Sequence, residues 1–355
     1  MRSGGTYAVF AWNVLGMHCL NPTYDKLVIL PPYNNIVVQV VKRGELPEVV
    51  TSGVTAEYSL RNNTTSYGKR SYGGSWDNSA ELFNVALARD IGLKENGLSG
   101  DMAVSGNYFM AVGVLVVPVN DNGTRDPYQV ALITVRDDAD EVVATTEVTV
   151  PTADEINCAK CHPCPALRIN TGPQMLLFRA IHGSHASKTG ITCYDCHPGV
   201  MTKCSRSVRH TSADGNCISC HGSMANVAGS IASGRVPRAN EPACSDCHTD
   251  TEGVSTGTTL YRNAHGHGDM LCSACHGSPH AMYPTNRDAD NYQSRQYQGF
   301  TSKKKLLEVA GFAMTAPGGM RRSANLPKSM AEQTRRKAQA AMPAILPYRQ
   351  LVAML

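Results

Sequence analysis

Fifteen residues of this 355-residue chain share one arrangement, Cys-x-x-Cys-His, repeated five times within 119 residues. Its members are Cys158, Cys161 and His162; Cys193, Cys196 and His197; Cys217, Cys220 and His221; Cys244, Cys247 and His248; and Cys272, Cys275 and His276. This spacing is the signature of c-type haem attachment. Two thiols three positions apart reach the two vinyl groups on one porphyrin edge. The next residue, His, is then placed to ligate the iron from that side. On this reading ten thiols are spent as thioether links to five haem c groups.

Other uses of paired cysteines fit less well. A zinc site needs four ligands, usually two Cys pairs or a Cys pair with a distant His pair. Nothing in zinc binding demands a His directly after every second Cys. A thioredoxin-like motif is usually single and sits in a βαβ unit. A disulfide framework has no reason to repeat a two-residue gap five times.

A haem iron takes two axial ligands, and the second sets its task. Seven histidines lie outside the motifs: His18, His182, His185, His210, His265, His267 and His280. His185 stands eight residues before Cys193, His210 seven before Cys217 and His267 five before Cys272. His182, His265 and His280 are further candidates. His18, in Gly16-Met17-His18-Cys19, is either a ligand across the domain boundary or a structural residue. Seven histidines for five irons permit bis-His ligation throughout, which leaves no open position for a substrate. Two imidazoles also hold the potential below that of a His/Met pair. Met270 and Met282 are the Met alternatives, with core packing the expected role of both. The leftover Cys164 and Cys204 suit a disulfide in an exported protein or stand as thiols, and Cys19 is a third.

The elements that must position these groups divide the chain. Twelve of its 13 Cys follow residue 157. Residues 1–150 read as a β-rich domain, 151–300 as a pentahaem domain of irregular chain and short helices, and 301–355 as a basic tail. In the first part, Leu27–Leu30 and Ile36–Val41 flank the turn Pro31–Asn35, and Val49–Leu60 alternates loosely. Tyr108–Val119 and Tyr128–Val135 follow, separated by the turn Asp121-Asn122-Gly123. Glu141–Val150 is the last strand, broken by Pro151. Strands joined by turn signals predict a sandwich of immunoglobulin or fibronectin kind. One helix is expected over Ser79–Ala88, capped by Asp77 or Asn78. The loop Asp121–Asp126 has the composition of a calcium loop without EF-hand spacing or its closing Glu, so a hairpin turn is expected there.

The motif region has little hydrophobic periodicity, and its motifs start 35, 24, 27 and 28 residues apart. This is no fixed-period solenoid. Five haems in 119 residues leave about 24 residues each, too few to bury a core of their own. The porphyrins must supply the core, and the haem-free segment should be largely unfolded, as in other domains whose folding depends on a bound group. Covalent haem attachment occurs outside the energy-coupling membrane, so an exported, periplasmic or extracellular protein is expected. The opening Met1-Arg2-Ser3-Gly4-Gly5 lacks the apolar stretch of a signal peptide, and the true start is expected upstream. No run of 18 apolar residues marks a transmembrane helix.

Residues 306–355 carry seven Lys or Arg and two Glu, a net +5, against +4 for the whole chain. The basic balance therefore lies in the tail and points to no nucleic-acid binding by the rest. A frameshift in Lys303-Lys304-Lys305 would explain this tail. In a shifted frame the code permits Ser-Cys-Gly-Val-Cys-His-Asp across Glu308–Thr315, which would be a sixth haem motif. The alternative is a genuine basic tail, where Ser329 to Glu332 forms a capping box for a helix over about Met330–Ala341.

Ala11-Trp12-Asn13-Val14-Leu15-Gly16-Met17-His18-Cys19 and Ile29-Leu30-Pro31-Pro32-Tyr33-Asn34 resemble the β-rich leading module of large secreted multihaem c-type cytochromes of metal- or sulfur-respiring anaerobic bacteria. Cys193–Gly199 and Cys275-His276-Gly277-Ser278-Pro279-His280 resemble the same group. The resemblance covers about residues 6–300. It implies exported electron carriers, often extracellular, some of which polymerise into conductive filaments where a His of one subunit ligates a haem of the next. The expected partners are redox proteins or an extracellular acceptor. A multihaem reductase with one open haem and a homopolymeric filament subunit are the rival readings.

Overall fold

The computed structural model describes residues 5–20, 33–70, 72–80, 85–156, 174–198, 202–208, 210, 217–235, 240–246, 248, 259–265 and 269–295. The first motif, Cys158 to His162, lies outside them, as do Cys164, Cys247, His267, Leu27–Leu30 and the whole tail after residue 295.

Among the described residues ten strands build the first part: β1 Tyr7–Asn13, β2 His18–Cys19, β3 Tyr33–Lys42, β4 Glu48–Val50, β5 Val54–Leu60, β6 Ser99–Asp101, β7 Ala103–Ser105, β8 Tyr108–Leu115, β9 Tyr128–Asp137 and β10 Val142–Ala153. They form two five-stranded sheets. One runs β1-β3-β8-β7 with β4 also on β3, and the other runs β2-β10-β9-β5-β6. All pairings are antiparallel except β2 with β10. The sheets share one apolar cluster, with Val9, Ile36, Val38, Phe109 and Ala111 from the first and Ala56, Tyr58, Ile133, Val148 and Val150 from the second. Fully burying such side chains contributes about 1.5–3 kcal/mol each.

Strand β3 is buried from Tyr33 to Val41 because both of its faces are covered. Successive side chains point to opposite sides. Ile36, Val38 and Val40 meet the second sheet. Val37 and Val41, with Phe10, Trp12 and Tyr108, meet Met270, Leu271 and Ala274 from the far end of the chain. Gln39 lies between Val37 and Val41 on this outer side and is fully buried. Its Oε1 accepts from Leu271 N at 2.9 Å and its Nε2 donates to Asp269 O at 3.3 Å. An unbroken Val-rich run with one Gln therefore marks a doubly covered strand that receives a backbone turn.

Several expectations change. The stretch 49–60 is two strands on different sheets, β4 and β5, parted by a turn at Gly53 with φ +69. The strand from Tyr108 stops at Leu115. The helix α1 spans Gly73–Asp77, so Asp77 ends it and Asn78 caps its C-terminus. Residues 79–80 are helical and 81–84 lie outside the described residues, but 85–88 are not helical. Ser79 Oγ instead accepts from Leu87 N at 2.9 Å, folding the chain back. Strand β10 runs through Pro151, which faces Tyr128 of β9. Its neighbour β2 joins only at Thr152 and Ala153, so the missing N–H of Pro151 falls beside an edge unpaired among the described residues, where a strand tolerates proline. The turn at Asp121-Asn122-Gly123 forms, and Asp121 is engaged by Lys69 Nζ at 2.9 Å and by Thr64.

Gly92 sets a tight contact beside β8. A Cβ there would lie 2.0 Å from Gly113 O and 3.0 Å from Leu115 N, both backbone atoms of β8. Gly92→Ala should cost about 1–3 kcal/mol, as overpacking does. A urea midpoint unchanged from that of the parent protein would contradict this.

Beyond β10 the helices are short: α2 Gln174–His185, α3 Cys217–His221, α4 Met224–Ala232, α5 Cys272–His276 and α6 Asp288–Arg295. α2 packs on α4, and α6 on β10. Polar bonds tie the two parts of the chain together. Arg206 makes a paired contact with Asp290, Nε–Oδ2 2.6 Å and Nη2–Oδ1 3.0 Å, and donates from Nη1 to Gly16 O at 2.5 Å. Arg125 donates to Asp154 and Thr202, and Lys203 N donates to Tyr128 Oη.

Candidate functional site

Each described motif is one turn of chain. Residues 193–195 and 244–246 form 3₁₀ turns, while 217–221 and 272–276 are single turns of α-helix. In such a turn, side chains three and four positions apart are neighbours on one face. Both Cys and the His of the second, third and fifth motifs are therefore presented together by local geometry alone. The turn at 193 is closed by Thr192, whose N and Oγ1 donate to Asp195 Oδ2 at 2.7 and 2.9 Å. α4 directly follows the third motif. It starts at Ser223, whose Oγ accepts from Asn226 N at 3.2 Å.

The histidines come together in twos. His182 and His197 have ring centroids 6.3 Å apart, His221 and His280 6.3 Å, and His210 and His248 6.1 Å. Each of these joins a motif His to one outside the motifs. An imidazole nitrogen binds a first-row metal at about 2.0–2.1 Å, and the ring centroid lies about 1.1 Å behind it, so two rings across one ion sit about 6.2–6.4 Å apart. Ordinary aromatic contacts also cover such distances. The repeated pairing of one motif His with one non-motif His is what singles these out. Among the described residues no group of three or more His, Cys, Asp or Glu side chains converges as a zinc site requires.

Bonds around the rings orient them. His280 Nδ1 lies 3.0 Å from Leu15 O. A carbonyl oxygen only accepts, so Nδ1 carries the proton and Nε2 keeps its lone pair for a metal. His185 Nδ1 likewise donates to Ile181 O at 2.7 Å. Ser207 Oγ lies 3.4 Å from His210 Nδ1.

Burial lowers the pKa of His280 to about 4. The Leu15 hydrogen bond works against this, and His221, Arg206 and His197 add to it. Burial also lowers His197 to about 4, with His182 and His221 contributing. His197 nonetheless keeps accessible surface, so burial among chain atoms rather than full exclusion of solvent lowers it. His221 and His210 are lowered as well, by burial first. All four imidazoles are neutral near pH 7, the form that ligates metal. The thiols move the other way. Burial raises Cys193 and Cys272, and lifts Cys275 to about 11. A redox-active or thiolate-binding cysteine needs the opposite shift.

The remaining candidates fall as follows. His18 is buried on β2, paired with Thr152 of β10, its ring 5.9 Å from Tyr33. His265 bridges Leu271 next to the fifth motif, and its Nε2 is buried with no hydrogen-bond partner among the described residues. His276 ends α5 with an exposed side chain. Met270 is core, in the cluster with Trp12 and Val37. No disulfide joins any two of the described cysteines; Cys204 packs instead on the cluster of Met17, Cys19 and Tyr128. The residues missed from the sequence are Leu15, Arg206, Asp290 and Gln39. A carbonyl leaves no trace in sequence. The lone Gln within a Val run was the one visible sign.

The family model described as cytochrome c554 and c-prime matches residues 225–277, which hold the fourth and fifth motifs. No curated protein and no solved structure matches the chain. Among the described residues no helix is long and apolar enough to cross a membrane. With the motif turns and the paired imidazoles, the match supports a c-type cytochrome, with haem c as its cofactor and electron transfer as its work.

Proposed function

We propose that this chain is an exported multihaem electron carrier, periplasmic or extracellular, with five haem c groups on its five motifs. The three pairs of motif and non-motif histidines carry this reading. His197 and His182 would hold one iron, His221 and His280 a second, and His248 and His210 a third. When bound, haem c supplies reversible one-electron transfer. The protein keeps His197, His210, His221 and His280 neutral and fixes the tautomer of His280, and each pair would supply both imidazole ligands of its iron. Closed positions disfavour the reductase reading. His265, with a buried Nε2 beside the fifth motif, fits a further ligand. The first motif, with Cys158, Cys161 and His162, starts five residues after β10 ends.

We read residues 1–150 as the assembly part. Its two packed sheets form a sandwich whose outer face seats the fifth motif through Met270, Leu271 and Ala274. Residues 151–300 then hold the haems.

The haem content and the closed positions are directly testable. Pyridine haemochrome absorbance and intact mass should both give five haems per chain, resistant to acid acetone. Carbon monoxide should leave the reduced spectrum of the three paired haems unchanged. His182→Ala should open one position and add a carbon monoxide shift of one haem. A colourless protein, or an unchanged spectrum for His182→Ala, would overturn the assignment.

A further inference from the structure

Leu15 and Gly16, at the end of β1, reach into the ligand loop at residues 278–281. Gly16 has φ +85, and a Cβ there would lie 2.9 Å from Ser278 Cβ and 3.3 Å from the backbone N of both His280 and Ala281. Three bonds cross this contact. Ser278 Oγ donates to Asn13 O, His280 Nδ1 donates to Leu15 O, and Arg206 Nη1 donates to Gly16 O. The shape of the turn carrying these carbonyls is imposed by one side chain. Asn13 Oδ1 accepts from Gly16 N at 2.8 Å and Leu15 N at 3.1 Å. Its Nδ2 donates to Asn34 Oδ1 at 2.7 Å, and Asn34 in turn donates to Thr152 Oγ1 at 3.0 Å. Asn13 and Asn34 are both buried.

We infer that Asn13 is a positioning residue for His280: it holds the Leu15 carbonyl against Nδ1 and so sets the reduction potential of the haem held by His221 and His280. This rests on the ligand pairing proposed above. The physical reason is the usual effect of an outer hydrogen bond on a metal-bound imidazole. A donated Nδ1–H makes the ring a stronger base and fixes its orientation. A stronger base favours the ferric over the ferrous iron and lowers the potential. The β-rich part thereby tunes one haem through a backbone carbonyl it alone supplies.

The test is spectroelectrochemistry of the full haem-loaded chain, with electron paramagnetic resonance to follow single haems. His280→Met comes first, to identify the signal of this haem. Met ligation should raise its potential. Asn13→Ala should then raise the same potential by an amount equal to a ~3- to 10-fold change in the ferric to ferrous ratio, about 30–60 mV for a one-electron couple. The other signals should stay in place. Asn13→Ser, whose hydroxyl forms the same turn more weakly, should give an intermediate shift, and it carries the test alone if Asn13→Ala does not accumulate. If His280→Met moves no signal, the ligand pairing is wrong and the inference falls with it. If His280→Met moves a signal that neither Asn13 variant moves, the pairing stands and the positioning role of Asn13 is refuted.

Discussion

Asp290→Ala should destabilise the protein by about 3–5 kcal/mol, the cost of leaving one member of a buried ion pair without its partner. The Arg206 side chain is 1% exposed and that of Asp290 4%, so water cannot take over the lost contact. Burial works against the Arg206 charge, while Asp290, followed by Tyr128 and Cys204, raises the guanidinium pKa. Total stabilities of 5–15 kcal/mol make this a large fraction. The expected result is a lower urea midpoint with an unchanged slope. Arg206→Met together with Asp290→Leu should recover most of the loss, because the pair's own attraction is largely offset by its desolvation. The double variant should still loosen the contact with Gly16, since Arg206 Nη1 bonds its carbonyl. A cost below about 1 kcal/mol for Asp290→Ala would place the pair with surface ion pairs and count against its role in holding Arg206 where it bonds Gly16 O.

Protein made without haem attachment should keep its two sheets and lose structure over residues 174–198 and 217–248. Between residues 174 and 265 the described apolar side chains that are buried are Ile231, Tyr261 and Ala264, with Pro198 beside the second motif. Side chains such as Ile return about 1.5–3 kcal/mol each on burial. Ordering the backbone costs about 1–2 kcal/mol per residue, and so few groups cannot hold the segment. The sheets have their own clusters, from Val9 to Val150. Hydrogen exchange read by mass spectrometry should show slow amides in β3, β8, β9 and β10 and fast ones in α2, α3 and α4. Protection of α2 and α4 equal to that of the haem-loaded protein would sink the idea that bound haems supply the missing core.

The β-rich character of the first part was legible because alternation is a local property, as β5 shows with buried Val54, Ala56, Tyr58 and Leu60. The misread elements all turned on non-local facts. Residues 49–60 look like one strand until the turn at Gly53 sends β4 and β5 to different sheets. Pro151 looks like a stop until the short reach of β2 leaves its side of β10 open. Proximity in sequence does not choose the ring that lies beside a motif His. His185 and His210 stand just before motifs, yet His182 meets His197, and His210 meets His248 of a later motif.

By itself the chain of residues determined the attachment chemistry, because Cys, Cys and His at positions one, four and five are brought together by a single turn of backbone. That holds wherever the turn sits. Which imidazole lies beside His197, His221 and His248 was decided only in three dimensions. His280 lies four residues beyond His276, yet it faces His221 of the third motif. Its orientation comes from Leu15 at the opposite end of the chain. An axial ligand needs a nitrogen at one point in space, and any segment that packing delivers there can provide it.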